Sequence, residues 1–275
     1  MAMTQQQTLN PTNDDEYFVC LSTHPGKVRD HNEDNFIVNQ TIRQHDPEVN
    51  LRGGGAREPL VCAVFDGMGG ESNGEAASRL CAAEAAKIIR ALKQKTDTLS
   101  GAVQNFVTDS NDAVLEMLQN VRAKRGGSTF VMTVLTDGLV YPYSLGDSRL
   151  YLYDGETLRQ LTEDHTLAMK KYYARMYTLE EAMASSDSHK LTAFLGADDD
   201  GGGLAPAAYE PFALNPGEKL LLCSDGLYDM CSHDEILDVL RGESDTLSLD
   251  LVDKALENGG KDNITCIVIE KKSSL

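Results

Sequence analysis

The stretch STFVMTVLTDGLVYPYSLGDSRLYLYDGETLRQLT, residues 128–162, decides the fold class. Its β-branched and aromatic runs are short and are interrupted by Asp137-Gly138, by Gly146-Asp147-Ser148 and by Asp154-Gly155. Turns this closely spaced make hairpins, so an antiparallel meander is expected; parallel crossovers need connections of about a dozen residues. Working outward, EYFVCLS (16–22) and NFIVN (35–39) read as strands. PLVCAVFDG (59–67) and KLLLCSDG (219–226) are apolar on both faces and therefore read as buried strands, and NITCIVIE (263–270) reads as a closing strand. QTIRQHDPEVNLRGGGARE (40–58) is polar and Gly-rich and reads as a surface loop.

Helical periods separate these runs. Ala77, Leu80, Cys81, Ala85, Ile88 and Leu92 recur at helical spacing, with Ser72 and Glu75 as a capping box. A second helix is expected over 100–123, a third over SHDEILDVLRG with a Ser232/Glu235 capping box, and a fourth over SLDLVDKALENG. Strands from distant parts of the chain alternate with helix pairs, so the expected fold class is α+β: two packed antiparallel β-sheets flanked by helix pairs, an α-β-β-α sandwich. A flexible N-terminal tail is expected over 1–13 and a single domain over 14–271.

The chain has 275 residues with 25 basic and 43 acidic side chains, a formal charge of -18. That balance argues against nucleic acid and anionic membrane as partners, since both need basic patches. The N-terminus is polar, and no apolar run approaches the ~18 residues of a membrane span. A cytoplasmic monomer is expected. The six cysteines show no C-x-x-C spacing, and four sit in apolar runs, as core residues do in a reducing compartment.

Three apolar strands or strand edges carry an acid beside a small residue: Asp66 in VFDG, Asp225 in CSDG and Asp262 in GGKDNIT. Any one alone reads as a turn former or helix cap. Three together on core strands converge at a common edge, where carboxylates repel one another unless a cation intervenes. An all-oxygen donor set selects hard Mg²⁺ or Mn²⁺ over zinc. GKVRDHNEDNF (26–36) adds Arg29, Asn32, Glu33 and Asp34; it also suits an ordinary solvated loop, but a guanidinium beside such a centre is a fork for phosphoryl oxygens.

These residues carry a resemblance. RDHNEDNF, VFDGMGGESNGEAAS, GGSTFVMTVL, SLGDSRLYLY, LTEDHT, LCSDGLYDM and GGKDNITCIVI occur in the order and rough spacing of the PP2C-type (PPM) metal-dependent protein phosphatases, most closely the bacterial members. The match runs from about Glu16 to Glu270. The resemblance implies hydrolysis of phosphoserine and phosphothreonine in proteins, opposing a Ser/Thr kinase, by a hydroxide activated between two metal ions. It implies that Asp66 bridges the ions, that Asp225 and Asp262 join it at the first, and that the Gly67 carbonyl joins it at the second, bent round by the absence of side chains. Glu33 and Asp34 would act through metal-bound waters, Asp34 from the outer shell, Arg29 would hold the substrate phosphate, and Asp147 would share a third, weaker metal with Asp225. The ions implied are Mn²⁺ or Mg²⁺, two or three in number.

Departures mark the match. Met68 stands where many eukaryotic members have a proton-donating His, and a thioether cannot protonate a leaving group; His31, nearby, reads as a surface residue. Phe194 replaces an Arg that often precedes Leu-Gly in the family. The segment before it, within about 165–195, resembles the family's helical flap. ADDDGGG (197–203) lacks EF-hand spacing and reads as a solvated loop rather than a calcium site. Rival readings fare worse: an aspartyl-phosphate mechanism needs a second Asp where Met68 stands, and the cysteine-phosphatase C-x₅-R signature is absent. A non-catalytic phosphoprotein-binding domain is the alternative from another class, and such domains typically lose metal ligands that are present here.

Overall fold

The computed structural model describes residues 7–8, 16–69, 72–123, 125–198 and 203–272. One sheet has seven strands, in the order Gln7–Thr8 (β1), Val49–Ala56 (β5), Tyr17–His24 (β2), Ile264–Lys271 (β15), Lys219–Cys223 (β14), Arg149–Tyr153 (β11) and Leu158–Gln160 (β12). The other has six: Ala207–Ala208 (β13), Leu139–Leu145 (β10), Phe130–Thr136 (β9), Leu60–Phe65 (β6), Asn35–Val38 (β3) and Thr41–Ile42 (β4). Gly67–Met68 (β7) and Gly127–Ser128 (β8) form a separate short pair. Among the described residues the strand pairings are antiparallel except that of β1 with β5.

Strand alternation divides the core into three apolar layers. Cys62 and Val64 of β6 meet Leu220 and Leu222 of β14 and Ile267 and Ile269 of β15 between the sheets. The opposite face of β6, Val61, Ala63 and Phe65, packs on Ser72–Gln94 (α1) and Leu99–Val121 (α2) through Cys81, Ala85, Ile88, Val103 and Phe106. Leu221, Cys223, Cys266 and Val268 cover His233–Leu240 (α6) and Leu247–Glu257 (α7) through Ile236, Leu240, Leu251 and Ala255. Both strand faces are buried, which is why LVCAVF and KLLLC read as unbroken apolar runs. The expected α-β-β-α sandwich is the observed architecture. The Ser232 capping box is present, with the Ser232 amide donating to the Glu235 carboxylate at 2.9 Å. The Ser72 side chain lies outside the described residues.

Two local expectations are corrected. The stretch 128–162 makes two hairpins in different sheets rather than one meander: β9 pairs with β10, and β11 pairs with β12 and β14. Asp137 and Gly138 both have positive φ, 53° and 77°, the tight turn that closes β9 onto β10. Gly146-Asp147-Ser148 instead carries the chain from one sheet to the other, a role that turn chemistry alone does not distinguish. The loop expected over 40–58 contains β4 and the eight-residue β5. Main-chain hydrogen bonds to β2 need no side chains, and the Phe18 ring lies over Gly53, where a Cβ would strike it.

Of the tail expected over 1–13, residues 1–6 and 9–13 lie outside the described residues, and Gln7 and Thr8 pair with Leu51 and Arg52 of β5. Of ADDDGGG, residues 199–202 lie outside them too. The stretch 165–195 holds two short helices, Leu167–Tyr173 (α3) and Leu179–Ala184 (α4), and a 3₁₀ turn, Ser186–His189. A four-residue helix, Asp225–Tyr228 (α5), follows β14 directly. Among the described residues no helix is long and apolar enough to cross a membrane.

Candidate active site

The acids singled out in the sequence come to one edge of the sandwich, and strand polarity puts them there. β6 ends at Phe65 opposite the start of β3 at Asn35, so Asp66 faces Glu33 and Asp34. β14 ends at Cys223 opposite Cys266 of β15, so Asp225 lies beside the approach through Asp262. The crossing between β10 and β11 delivers Asp147 to the same edge. The electrostatics record the crowding. Burial first, and then the charges of Asp225, Asp34, Asp147 and Asp262, push the Asp66 carboxyl well above the usual range. Burial and then Asp147 and Asp262 do the same to Asp225. Asp34, 1% exposed, is pushed up to about 6 by burial although Ser224 and Thr265 oppose the shift through hydrogen bonds. Asp147, 6% exposed, rises to about 7 through burial and the nearby charge of Asp164. Burial also raises Glu33, against the pull of Arg29.

Arg29 sits at the rim, its Nη2 donating to Asp262 Oδ2 at 2.6 Å, with the side chain about half exposed. Gly67 is enclosed: a Cβ there would run into the carbonyl oxygens of Gly74 and Glu33. Its φ is not among the positive ones, so the lack of a side chain serves close packing of β7 against the start of α1 rather than the bend expected from the sequence. Gly67→Ala should therefore displace Glu33 and lower stability by about 1–3 kcal/mol, the usual range for overpacking. Thermal melts and turnover should both fall; an unchanged melting temperature would remove the packing argument. The donors gathered at this edge are carboxylates and a backbone carbonyl, all hard oxygen, and they repel one another, so the residues fit hard divalent cations.

Several supporting residues were not legible as such. Asn263 ties the Arg29 loop to β15: its Oδ1 accepts from the Glu33 amide at 2.8 Å, and its Nδ2 donates to the carbonyls of Pro25 and His31, each at 2.8 Å. Ser224 Oγ donates to Asp34 Oδ2 at 2.7 Å. Thr129 accepts from the Asp66 amide at 3.3 Å and lies 2.7 Å from Ser148 Oγ, which links the GGST and GDSR motifs. Arg149 binds Asp164 through Nε and Nη2 at 3.0 and 2.7 Å and stacks 3.5 Å over Tyr228, whose hydroxyl donates to the Asp147 carbonyl at 3.0 Å. Arg43 is the least expected. Placed in a presumed loop by its polar neighbours, it is 2% exposed and donates to the carbonyls of Asn32 at 2.6 Å and Asp34 at 2.9 Å, beneath the acids. No sequence signal separates it from a surface arginine.

Other expectations find their places. His31 is exposed. Met68 is half-buried in β7, and Phe194 packs against Gly127 of β8, where a Cβ would crowd its ring. All six cysteines are free and buried, and burial pushes thiols such as Cys223 up, away from the thiolate form.

The family model described as Protein phosphatase 2C matches residues 52–258. The chain is 30% identical over 259 residues to a serine/threonine phosphatase, stp, of Listeria innocua, covering 90% of this chain and 94% of that one. Its structure resembles the crystal structure of the Mycobacterium tuberculosis serine/threonine phosphatase PstP/Ppp, with a TM-score of 0.75, 27% identity and coverage of 94% and 100%. It also resembles the catalytic domain of PstP in complex with two manganese ions, with a TM-score of 0.73, 27% identity and coverage of 94% and 99%.

Proposed function

Because the chain belongs to the protein phosphatase 2C family, we propose that it hydrolyses phosphoserine and phosphothreonine in proteins at the acid edge, in a reaction that depends on divalent cations. The observation that carries this reading is the convergence of Asp34, Asp66, Asp147, Asp225 and Asp262 from both sheets on one edge, with Arg29 at its rim. The non-catalytic alternative has no comparable support, because its hallmark is loss of those acids.

We assign two Mn²⁺ or Mg²⁺ ions to the edge. Asp66 would be shared between them, Asp225 and Asp262 would complete one, and the Gly67 carbonyl the other; Glu33 and Asp34 would act through water, and Asp147 with Asp225 would serve a weaker third. Such ions supply an acidified water at neutral pH and neutralise charge on the phosphoryl group. The chain's own residues do the rest. Arg29 has guanidinium donors besides the Nη2 that Asp262 occupies, and these are offered to the phosphate. Asn263 and Arg43 hold the backbone of the Arg29–Asp34 loop so that its acids keep their positions. Buried, protonated cysteines leave no thiolate nucleophile, so no phosphocysteine forms. Physiologically, this is a monomeric cytoplasmic enzyme that opposes a Ser/Thr kinase.

The test is turnover of a chromogenic phosphate ester and of a phosphothreonine peptide with and without Mn²⁺, for the wild type and Arg29→Lys. Loss of charge-assisted hydrogen bonds of about 1.5–3 kcal/mol predicts a fall in kcat/KM of roughly 10- to 150-fold for Arg29→Lys, carried mainly by KM. Absence of turnover by the wild type at saturating Mn²⁺ would refute the reading, and wild-type kinetics in Arg29→Lys would refute the phosphate-binding assignment.

A further inference from the structure

Hydrogen bonds around the crossing from β10 to β11 converge on a residue that the catalytic reading leaves unused, His165 of the LTEDHT stretch (161–166). We propose that His165 is a positioning residue for turnover: its Nδ1 accepts from the Gly146 amide and so fixes the backbone that delivers Asp147 to the acid edge, while its own main chain ties that point to the base of the helical segment. The proposal rests on the reading of this edge as the catalytic centre, because Asp147 serves turnover only there.

Gly146 and His165 are joined by two hydrogen bonds that run in opposite directions. The His165 amide donates to the Gly146 carbonyl at 2.9 Å, and the Gly146 amide donates to His165 Nδ1 at 3.0 Å. Both peptide units that flank Gly146 are therefore held by one residue, the first by its ring and the second by its main chain. A peptide amide carries one hydrogen and offers no lone pair, so the nitrogen it meets must be bare, and in a neutral ring the proton then sits on Nε2. Burial lowers the pKa of the ring, against the pull of Asp164 and Glu163, which favours that neutral form. Gly146 itself leaves the crossing little slack. Its φ is +112°, which side chains rarely permit, and a Cβ would stand 2.5 Å from the Cβ and Cγ2 of Thr129. Farther along, Tyr228 holds the Asp147 carbonyl and Thr129 holds Ser148, so each residue from 146 to 148 is fixed in turn.

The ring is presented by a fixed frame. On one side of it the Glu163 amide donates to the Tyr209 hydroxyl at 2.9 Å and Asp164 is gripped by Arg149; on the other, Thr166 caps α3 by accepting from the Met169 amide at 3.3 Å. The Thr192 amide donates to the His165 carbonyl at 2.8 Å, Thr166 pairs with Leu191, and the Leu167 amide donates to the Lys190 carbonyl at 2.8 Å. His165 thus stands where the helical segment leaves the core and where it returns. A side chain held so firmly orients its target at little entropic cost. Asp147 is only 6% exposed, so a shift of the crossing moves its carboxylate against packed neighbours instead of into water. Misplacement of a reacting group by about 1 Å can cost roughly 100-fold in rate.

The experiment compares the full chain as wild type, His165→Asn and His165→Gln. Asn carries its side-chain oxygen at the place of Nδ1, and Gln carries it one bond farther out, at the place of Nε2, so the pair separates the Nδ1 acceptor from the mere presence of a polar side chain. The measurements are kcat and KM for a chromogenic phosphate ester at saturating Mn²⁺, hydrogen exchange of the Gly146 amide in chelator, and the nitrogen NMR shifts of the His165 ring in the wild type. His165→Gln should lower kcat roughly 10- to 100-fold with KM little changed, since Arg29 is untouched. It should also speed exchange at Gly146 roughly 3- to 10-fold, the size of one net hydrogen bond. His165→Asn should bring both back toward wild-type values, and the wild-type ring should show a bare Nδ1 with its proton on Nε2. A proton on Nδ1, wild-type kcat in His165→Gln, or equal losses in the two variants would each overturn the assignment. A wild type with a bare Nδ1 and a protected Gly146 amide that turns nothing over would refute the catalytic reading itself, and would leave His165 a clasp of the fold instead of a positioning residue.

Discussion

Asp66→Asn is expected to abolish turnover while leaving the fold in place. The carboxylate feels the charges of Asp225, Asp34, Asp147 and Asp262 and is the one assigned to both ions, so its removal should exceed the 10- to 100-fold loss typical of an outer partner. Stability should rise or hold in the metal-free protein, because an amide cannot ionise within the mutually repelling cluster of acids. The paired measurements are kcat at saturating Mn²⁺ and the melting temperature in chelator. Near-wild-type turnover would end the bridging assignment; a large drop in the metal-free melting temperature would show that Asp66 supports the fold rather than a cation.

Removing metal is expected to make stability fall as pH rises. Asp34 and Asp147 titrate at about 6 and about 7 in the folded chain, and Asp66 and Asp225 lie well above the usual carboxylate range. Unfolded aspartates titrate near 3.9, so between about pH 4 and 7 the native state holds more protons than the unfolded one. Unfolding free energy then falls with pH, by about 1.4 kcal/mol per pH unit for each extra proton held. Stability from these groups is thus greatest at acid pH and is lost as each carboxyl ionises. Divalent cations replace those protons, so Mn²⁺ should stabilise more at pH 8 than at pH 5; one site filled at 100 Kd contributes about 2.7 kcal/mol. Melts in chelator and in Mn²⁺ from pH 5 to 8 test this; a metal-free melting temperature that climbs with pH would contradict it.

Periodicity and turn chemistry carried most of the architecture, because LVCAVF, KLLLC and ITCIVIE are buried on both faces and cannot be mistaken for surface strands. The acids were legible for a related reason: a carboxylate at the end of such a strand has no apolar explanation. Less was legible where backbone alone decides. β5 hides in a glycine run because its hydrogen bonds leave no trace in side-chain chemistry, and Phe18 supplies its cover from another strand. The Gly146-Asp147-Ser148 crossing reads like the Asp137-Gly138 hairpin, although one changes sheets and the other does not. Arg43 reads as surface because its partners are carbonyl oxygens, which every residue has.

What the acid edge binds is decisive. Crystals grown with Mn²⁺ and measured at the manganese absorption edge should show two anomalous peaks roughly 3.5–4 Å apart, as in two-metal hydrolytic centres, both touching the Asp66 carboxylate. A map with no anomalous density at Asp66, or with manganese bound only elsewhere on the molecule, would contradict it.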